Sequence, residues 1–200
     1  MLSILPNRFR IASFLPAVLL LVAAAGSADD PPRTLTADFA MERSIAALSD
    51  TIRSTGRLKL GGPGLLYWEM LEPSRSVLVV NGDRAWIHYP DLGVTKSFQL
   101  EKDPVMRVMA EHMLALTAGD YDQVGELYDV EKLEDGSIRL VPLQETVKGV
   151  FQEIRVLRES AGVVSWVELR SPSGDRTRIE FTNVRAGAPI DPASFERPGS

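Results

Sequence analysis

The residue types that most often carry catalysis or metal binding are sparse in this 200-residue chain. Its two histidines, His88 and His112, have no partner at the spacing of zinc ligands, and no serine occupies a Gly-x-Ser-x-Gly elbow. Glu69 is the carboxylate of most interest, because it lies in an apolar run on the strand face opposite Trp68. The pattern favours structural or solvated histidines and predicts no enzyme active site, no cofactor and no metal centre.

A glycine-rich stretch from Gly61 to Gly64 has the composition of a phosphate-binding loop but not its motif. It lacks the Lys-Ser/Thr pair of a P-loop and does not open a helix. Glycine and proline together are typical of tight turns. The sequence therefore predicts a turn between two strands here.

Methionine is the residue type whose placement does suggest binding. Met106, Met109 and Met113, three of the six methionines, fall within one short segment. The methionine side chain is flexible and polarizable, and it adapts to partners of irregular shape. Methionines at helical spacing are also common in ordinary cores, but a single helix has little to cover besides the face of a sheet. The segment therefore predicts a movable apolar cover over a ligand.

The helix around these methionines interrupts an otherwise strand-like chain. Asp103 suits an N-cap and Pro104 the first helical position, and apolar residues recur at helical spacing to about Leu116. Alternating apolar runs, with a strong hairpin signal at Asn81-Gly82, predict about ten strands. They cover residues 33–43, 54–60, 65–70, 76–80, 84–89, 94–100, 128–132, 137–142, 150–158, 163–170 and 176–184. This spacing predicts one mainly β domain with an α lid, built as a sandwich or as a curled sheet approaching a barrel.

The candidate ligand-binding residues follow from periodicity. Alternate residues of a strand share a face, and residues at 3.6-residue spacing form one stripe of a helix. The predicted cavity residues are Phe39, Leu58, Leu60, Leu66, Trp68 and Met70 from the strands, with Val105, Met109, Met113 and Leu116 from the helix.

The first 28 residues have the features of a cleaved export signal. Arg8 and Arg10 give a positive start, an apolar run follows, and Gly26-Ser27-Ala28 offers small residues for cleavage after Ala28, with Ala25 nearly as suitable. The apolar run is shorter than the roughly 20 residues that span a bilayer. The sequence therefore predicts one mature periplasmic domain, residues 29–200.

The net charge and the absence of cysteine limit the classes of partner and membrane anchor that the domain can have. The full chain has a net charge of −5, and loss of the two signal arginines leaves −7. A negative excess disfavours nucleic acid and anionic membrane surfaces as partners. The chain has no cysteine, so neither a disulfide nor an N-terminal lipid anchor on cysteine is available. We expect a soluble monomer.

A further set of residues is informative through its order and spacing: Gly56-Arg57-Leu58, Pro63, Trp68, Pro73, Gly82, Trp86 and Tyr89, then the runs 177–184 and 189–195 and Pro198-Gly199. Together they resemble the LolA-type outer-membrane lipoprotein carriers, from about Thr34 to Gly199. The resemblance implies a strongly curved antiparallel half-barrel, unclosed and covered on its concave face by one or more helices. It also implies an acylated lipoprotein as cargo, an inner-membrane ABC-type release complex as donor and an outer-membrane acceptor.

Two departures from the family pattern favour a divergent member that handles other lipids. Gly62 stands where the family's proteobacterial members have an arginine before the turn proline, and only residues 29–33 precede the first strand, where the family has an amphipathic helix.

The leading hypothesis is a periplasmic carrier that binds the acyl chains of a lipoprotein or another lipid in a hydrophobic cavity and transfers it toward the outer membrane. Each CH₂ group left in water costs about 0.8 kcal/mol, so burying a chain of about 16 carbons releases on the order of 10 kcal/mol before ordering costs. A periplasmic lipid-sensing or regulatory domain of the same fold is the alternative. An exported hydrolase is disfavoured because no nucleophile–base motif is present.

Overall fold

The computed structural model of the chain describes residues 34–47, 50–62, 64–103, 128–158 and 164–199. In these residues eleven strands form one antiparallel sheet. They are β1 (Leu35–Ser44), β2 (Thr51–Leu60), β3 (Leu65–Glu72), β4 (Ser76–Asn81), β5 (Arg84–Tyr89), β6 (Val94–Gln99), β7 (Tyr128–Lys132), β8 (Ile138–Pro142), β9 (Glu153–Arg158), β10 (Val164–Arg170) and β11 (Arg176–Ala186). Their order across the sheet is β6-β5-β4-β3-β2-β1-β11-β10-β9-β8-β7.

The sheet consists of two antiparallel meanders that meet where β1 pairs with β11. β6 and β7 are its two edges, and the sheet is not closed. The predicted mainly β fold is confirmed, whereas the sandwich alternative is wrong because all eleven strands belong to one sheet. The helix predicted for residues 104–116 and the export signal of residues 1–28 lie outside the described residues.

Two predicted turns connect β2 to β3 and β4 to β5. The Gly61 amide donates to the carbonyl of Leu65 at 3.0 Å, which closes the glycine-rich turn. In the second hairpin, Asn81 pairs with Arg84 across a loop of Gly82 and Asp83, and Gly82 has a φ of 55°. Glycine adopts this left-handed backbone at little cost, so the residue type fits the turn.

Two strands begin three residues away from their predicted starts. β2 begins at Thr51, whereas the sequence predicted a start at Ser54. Residues 150–158 were predicted as one strand, but β9 begins at Glu153, after the short helix α1 (Glu145–Lys148). Val147 and Phe151 are both buried, and the Phe151 amide donates to the carbonyl of Val147 at 2.8 Å. A helical turn therefore buries apolar residues that resemble the start of a strand. In the described parts of the chain, no helix has the length and apolar composition needed to cross a membrane.

The two faces of the sheet differ in what they bury. Alternate residues of β1 (Leu35, Ala37, Phe39 and Met41) are buried on what we call the apolar face, and alternate residues of β2–β5 and β8–β11 continue it. On the opposite face the C-terminal segment crosses β2–β6. There Phe195 packs on Val77 and Val79, and Asn81 Nδ2 donates to the Phe195 carbonyl at 3.1 Å. The opposite face is therefore partly occupied by the chain's own C-terminus.

Candidate functional site

The six strand residues predicted to bind ligand lie together on the apolar face. Leu58 pairs with Trp68 and Leu60 with Leu66 across β2 and β3, and Phe39 lies on the adjoining β1. Five of the six are buried, while Met70 is partly exposed and packs against the same cluster. The predicted helix residues Val105, Met109, Met113 and Leu116 lie outside the described residues. The role of all ten in ligand binding stays a prediction.

The centre of this group is an aromatic pair. The rings of Phe39 and Trp68 are stacked with their centroids 4.0 Å apart and an angle of 24° between planes. Gly56 makes the arrangement possible, because a Cβ at this position would lie 2.3 Å from Phe39 Cζ and 2.0 Å from the Glu69 carbonyl oxygen. Glycine inside a strand often marks such a close approach. The aromatic pair therefore depends on a residue with no side chain.

The apolar face extends well beyond the predicted residues. Its buried cluster reaches from β5 across the sheet to β8 and β9. The members that the sequence analysis did not assign to the site include Met41, Leu78, Val80, Ile87, Leu140, Ile154, Val156, Val167, Leu169, Ile179 and Phe181. The same alternation that identified Leu66 and Trp68 is present in those strands, so the signal was available.

Three hydroxyl-bearing side chains lie at one end of the apolar face. Ser54, Ser76 and Thr177 are all buried, on β2, β4 and β11. Ser76 pairs with Met70, and its Oγ has no hydrogen-bond partner within the described part of the chain. The other end of the face, which includes Leu35 paired with Leu60, is apolar. We call the three residues Ser54, Ser76 and Thr177 the hydroxyl end.

Glu69 lies on the opposite face, as its position in the strand predicts. It is only 4% exposed, and Arg75 donates to its Oε1 from Nη2 at 2.9 Å and from Nε at 3.2 Å. Burial, followed by the negative charge of Glu69, raises the pKa of Tyr67 to about 12. A carboxylate held by an arginine stabilises the fold here, and this geometry does not make it a general acid.

His88 is also on the opposite face. Its Nδ1 lies 2.9 Å from Thr95 Oγ1, and Thr95 donates to the Pro198 carbonyl at 3.2 Å. The ring therefore supports the end of the C-terminal segment. His112 lies outside the described residues. Among the residues that the structure describes, no group of three or more His, Cys, Asp or Glu side chains is placed to hold a metal ion.

A second buried carboxylate, Glu168, is surrounded by arginines on the opposite face of β10 and β11. Arg176 Nη2 donates to Glu168 Oε2 at 2.5 Å, and Arg170 donates to Oε1 at 3.4 Å. Burial alone would raise the pKa of Glu168. The hydrogen bond and charge of Arg176, together with Arg170, outweigh burial and hold this pKa below its ordinary value. This cluster is a structural ion network.

The opposite face also has a groove of about 310 Å³ across β11, β1 and β2. Polar and charged side chains dominate its lining, and Asn183 Nδ2 donates to Asp38 Oδ2 at 2.8 Å. The lining residues are Thr36, Ala37, Asp38, Arg57, Leu58, Lys59, Asn183 and Arg185. Burying an acyl chain against charged groups would remove their hydration without compensation. The apolar face is therefore the better candidate site for an apolar ligand.

Comparison with known proteins gives a consistent family. The model of the family described as outer membrane lipoprotein carrier protein LolA matches residues 32–198. An outer-membrane lipoprotein carrier protein of Azotobacter vinelandii is 27% identical over 167 residues, covering 84% of this chain and 78% of the relative. A protein of the same description from Pseudomonas fluorescens is 25% identical over 198 residues, covering 94% of each chain.

Among solved structures, a LolA superfamily protein from Nitrosomonas europaea matches 83% of this chain and 91% of its own, with a TM-score of 0.45 and 10% identity. The family model itself spans most of the sequence, including every described strand. The chain therefore belongs to the LolA family of outer membrane lipoprotein carrier proteins.

Proposed function

We propose that this protein is a periplasmic carrier that holds the acyl chains of a lipoprotein against the apolar face of its sheet and transfers it toward the outer membrane. Family membership and the names of the relatives support a lipoprotein as cargo. The observation that carries the site assignment is the one-sided distribution of buried apolar side chains, which gives one connected cluster on one face. Removing acyl chains from water onto such a surface releases about 0.8 kcal/mol per CH₂ group.

We further propose that residues 104–127 cover this face, with Val105, Met109, Met113 and Leu116 turned inward. The segment connects β6 and β7, which are the two edges of the sheet. Its described flanks, Leu100 and Tyr128, are both buried in the core cluster of the apolar face. The C-terminal segment already crosses the opposite face over β2–β6. These features support a path across the apolar face, over a curved sheet that forms a hydrophobic cavity.

Gly62 favours a cover that is held less tightly than in typical members of the family. Its φ of 107° lies in the region that L side chains rarely adopt, so an arginine here would strain the turn. A loosely held cover keeps the open, loadable state well populated, and little affinity is then lost to opening. Such a carrier suits a cargo that is released readily, whether a lipoprotein or another lipid.

A lipoprotein carrier also needs a donor and an acceptor, because an acyl chain that leaves the protein for water loses its burial energy. We propose an inner-membrane ABC-type complex as donor and an outer-membrane protein as acceptor. The mature protein, residues 29–200, would act as a soluble periplasmic monomer. No enzyme activity is part of this proposal.

Tryptophan quenching tests the site. The chain has three tryptophans, of which Trp68 is on the apolar face while Trp86 and Trp166 pair with opposite-face residues. Three single-tryptophan proteins, with phenylalanine at the other two positions, are titrated with a palmitate ester brominated along its chain. Bromine quenches only nearby indoles, so we expect quenching of Trp68 alone.

Trp86 and Trp166, the two tryptophans that are not on the apolar face, serve as matched controls in the same fold. Saturable quenching of Trp68 together with unchanged emission from the Trp86 and Trp166 proteins would support the proposal. Equal quenching of all three, or quenching only of Trp86 or Trp166, would overturn the assignment of the apolar face as the acyl-binding site.

A further inference from the structure

Ser76 differs from the other side chains of the apolar face. It is only 2% exposed. In β4 it lies on the same face as Leu78 and Val80, which belong to the core cluster. Among the residues that the structure describes, none provides a hydrogen-bond partner for its Oγ. A buried hydroxyl without a partner costs about 1 to 3 kcal/mol, so alanine would be the more stable choice at this position. The unpaired hydroxyl is therefore available to a partner from outside the described residues.

We propose that Ser76 is the polar anchor of the binding site, and that its hydroxyl donates a hydrogen bond to the carbonyl group that joins an acyl chain to the cargo. This inference rests on the proposed carrier function and specifies its ligand. The ligand class is an acyl ester or acyl amide, since both present a carbonyl acceptor next to a long hydrocarbon chain. A plain hydrocarbon lacks that acceptor.

The position of Ser76 on the face fits such an amphipathic ligand. Ser54 and Thr177 lie at the same end, whereas the far end contains Leu35, Leu60 and other apolar residues. An acyl chain directed toward the apolar end would place its carbonyl at the hydroxyl end. The carbonyl would then lie at the end of the face that carries the three hydroxyls, beside apolar neighbours such as Met41 and Leu169.

Access to the anchor is provided by Met70. It is paired with Ser76 across β3 and β4 and is partly exposed, unlike the fully buried Trp68 two residues earlier. Methionine has three rotatable side-chain bonds and repacks easily. We infer that a ligand reaches the Ser76 hydroxyl by displacing the Met70 side chain rather than the backbone.

The test compares three ligands of nearly equal length: methyl palmitate, N-methyl palmitamide and n-octadecane. Each competes with the brominated ester in the Trp68-only protein. We call the ratio of carbonyl-ligand affinity to alkane affinity the carbonyl preference. One hydrogen bond contributes about 1 kcal/mol, so Ser76→Ala should lower the carbonyl preference about fivefold relative to the parent. The carbonyl stretching band of the isotope-labelled ester should lie at lower frequency in the parent than in the variant.

Ser137→Ala is the matched control. Ser137 is also a fully buried serine, but its hydroxyl is bonded to Asp135 at 2.5 Å in the β7–β8 turn. This variant should lose stability and keep the preference for the carbonyl ligands. Ser76→Ala should show the reverse, with an unfolding midpoint equal to or above that of the parent.

The outcomes separate the anchor from the carrier function. A carbonyl preference that is unchanged in Ser76→Ala would overturn the anchor and leave the carrier proposal standing. Failure of the parent to bind any of the three would overturn the carrier proposal and the anchor with it.

Discussion

At Gly56 the ring of Phe39 lies over β2 and reaches Trp68 on β3. The contact distances at this glycine leave no room for a methyl group, since one of the two close atoms is the backbone oxygen of Glu69. A flexible side chain can move aside at small cost, but a paired strand backbone cannot. The residue therefore fixes both the aromatic pair and the pairing of β2 with β3.

We expect Gly56→Ala to lower the free energy of unfolding by at least about 1 to 3 kcal/mol, the usual cost of overpacking. Urea denaturation measures the loss, and near-ultraviolet circular dichroism should show a weakened signal from the stacked rings. Thr55→Ala is the control, because Thr55 is exposed in the same strand and exposed substitutions cost within about 0.5 kcal/mol. Equal stability of the two variants would contradict the proposed role of Gly56.

At the scale of the strands, ion pairs with arginines compensate the buried carboxylate of Glu168 on the opposite face of β10 and β11. The Glu168 side chain is 4% exposed, yet three strand or turn-flanking arginines approach it within 4 Å: Arg170, Arg176 and Arg178. A buried carboxylate needs this compensation, because its desolvation is otherwise unfavourable. The network thus makes part of the sheet's stability dependent on the ionised state of one residue.

Glu168→Gln should lower the free energy of unfolding at neutral pH by about 1.5 to 3 kcal/mol, the range for hydrogen bonds to charged groups. The pKa of Glu168 is lower in the folded than in the unfolded chain, so the unfolded state binds the proton more readily. The contribution of ionised Glu168 to the free energy of unfolding is therefore complete at pH values above its ordinary pKa of 4.5. It is lost as the pH falls through the lower pKa of the folded state.

Urea denaturation between pH 7 and pH 3 measures this dependence. The parent should lose more stability than Glu168→Gln over the acid part of the range. Glu180→Gln is the control, because the Glu180 side chain is 59% exposed and its pair with Arg178 contributes little. Parallel curves for the parent and Glu168→Gln would contradict a coupled role for this carboxylate.

Local signals predicted the strands well because each depends on nearby residues. Alternation in residues such as Leu66, Trp68 and Met70 gave the face, and Asn81-Gly82 gave the hairpin. The start of β9 was misplaced because Val147, Val150 and Phe151 are apolar in either a helical turn or a strand. Periodicity over so few residues does not distinguish the two.

The pairing of strands that are distant in the sequence could not be predicted from such local patterns. Phe39 of β1 pairs with Phe181 of β11, and no short-range sequence pattern indicates which residues of these two strands face each other. One open sheet and a sandwich were therefore equally compatible with the strand pattern. The predicted cavity residues on the strands were confined to β1–β3, although the alternation that also places residues of β8–β11 on the apolar face was visible in the sequence. No pattern in the sequence indicated Ser76, because a lone hydroxyl at the start of an apolar strand is common. Only the structure shows that no described residue forms a hydrogen bond with its hydroxyl.

For the whole molecule, the proposal of a movable cover can be tested by crosslinking, since the chain contains no cysteine. Met70→Cys places one thiol at the partly exposed rim of the apolar face, and a second cysteine is scanned through residues 105–116. If residues 104–116 form the predicted helix, the disulfides that form should be confined to the inward stripe of Val105, Met109, Met113 and Leu116. Arg107→Cys and Glu111→Cys, on the other side of that helix, are the matched controls.

The crosslinked protein should then fail to load the brominated ester until it is reduced, because a cover tied to the sheet keeps the ligand from the apolar face. Bound ligand should in turn slow the crosslinking, since it occupies the space between the two thiols. Loading rates are followed by Trp68 emission before and after reduction. If the locked protein loads at the parent's rate, residues 104–116 are not a cover, and the methionines contribute only to ordinary core packing.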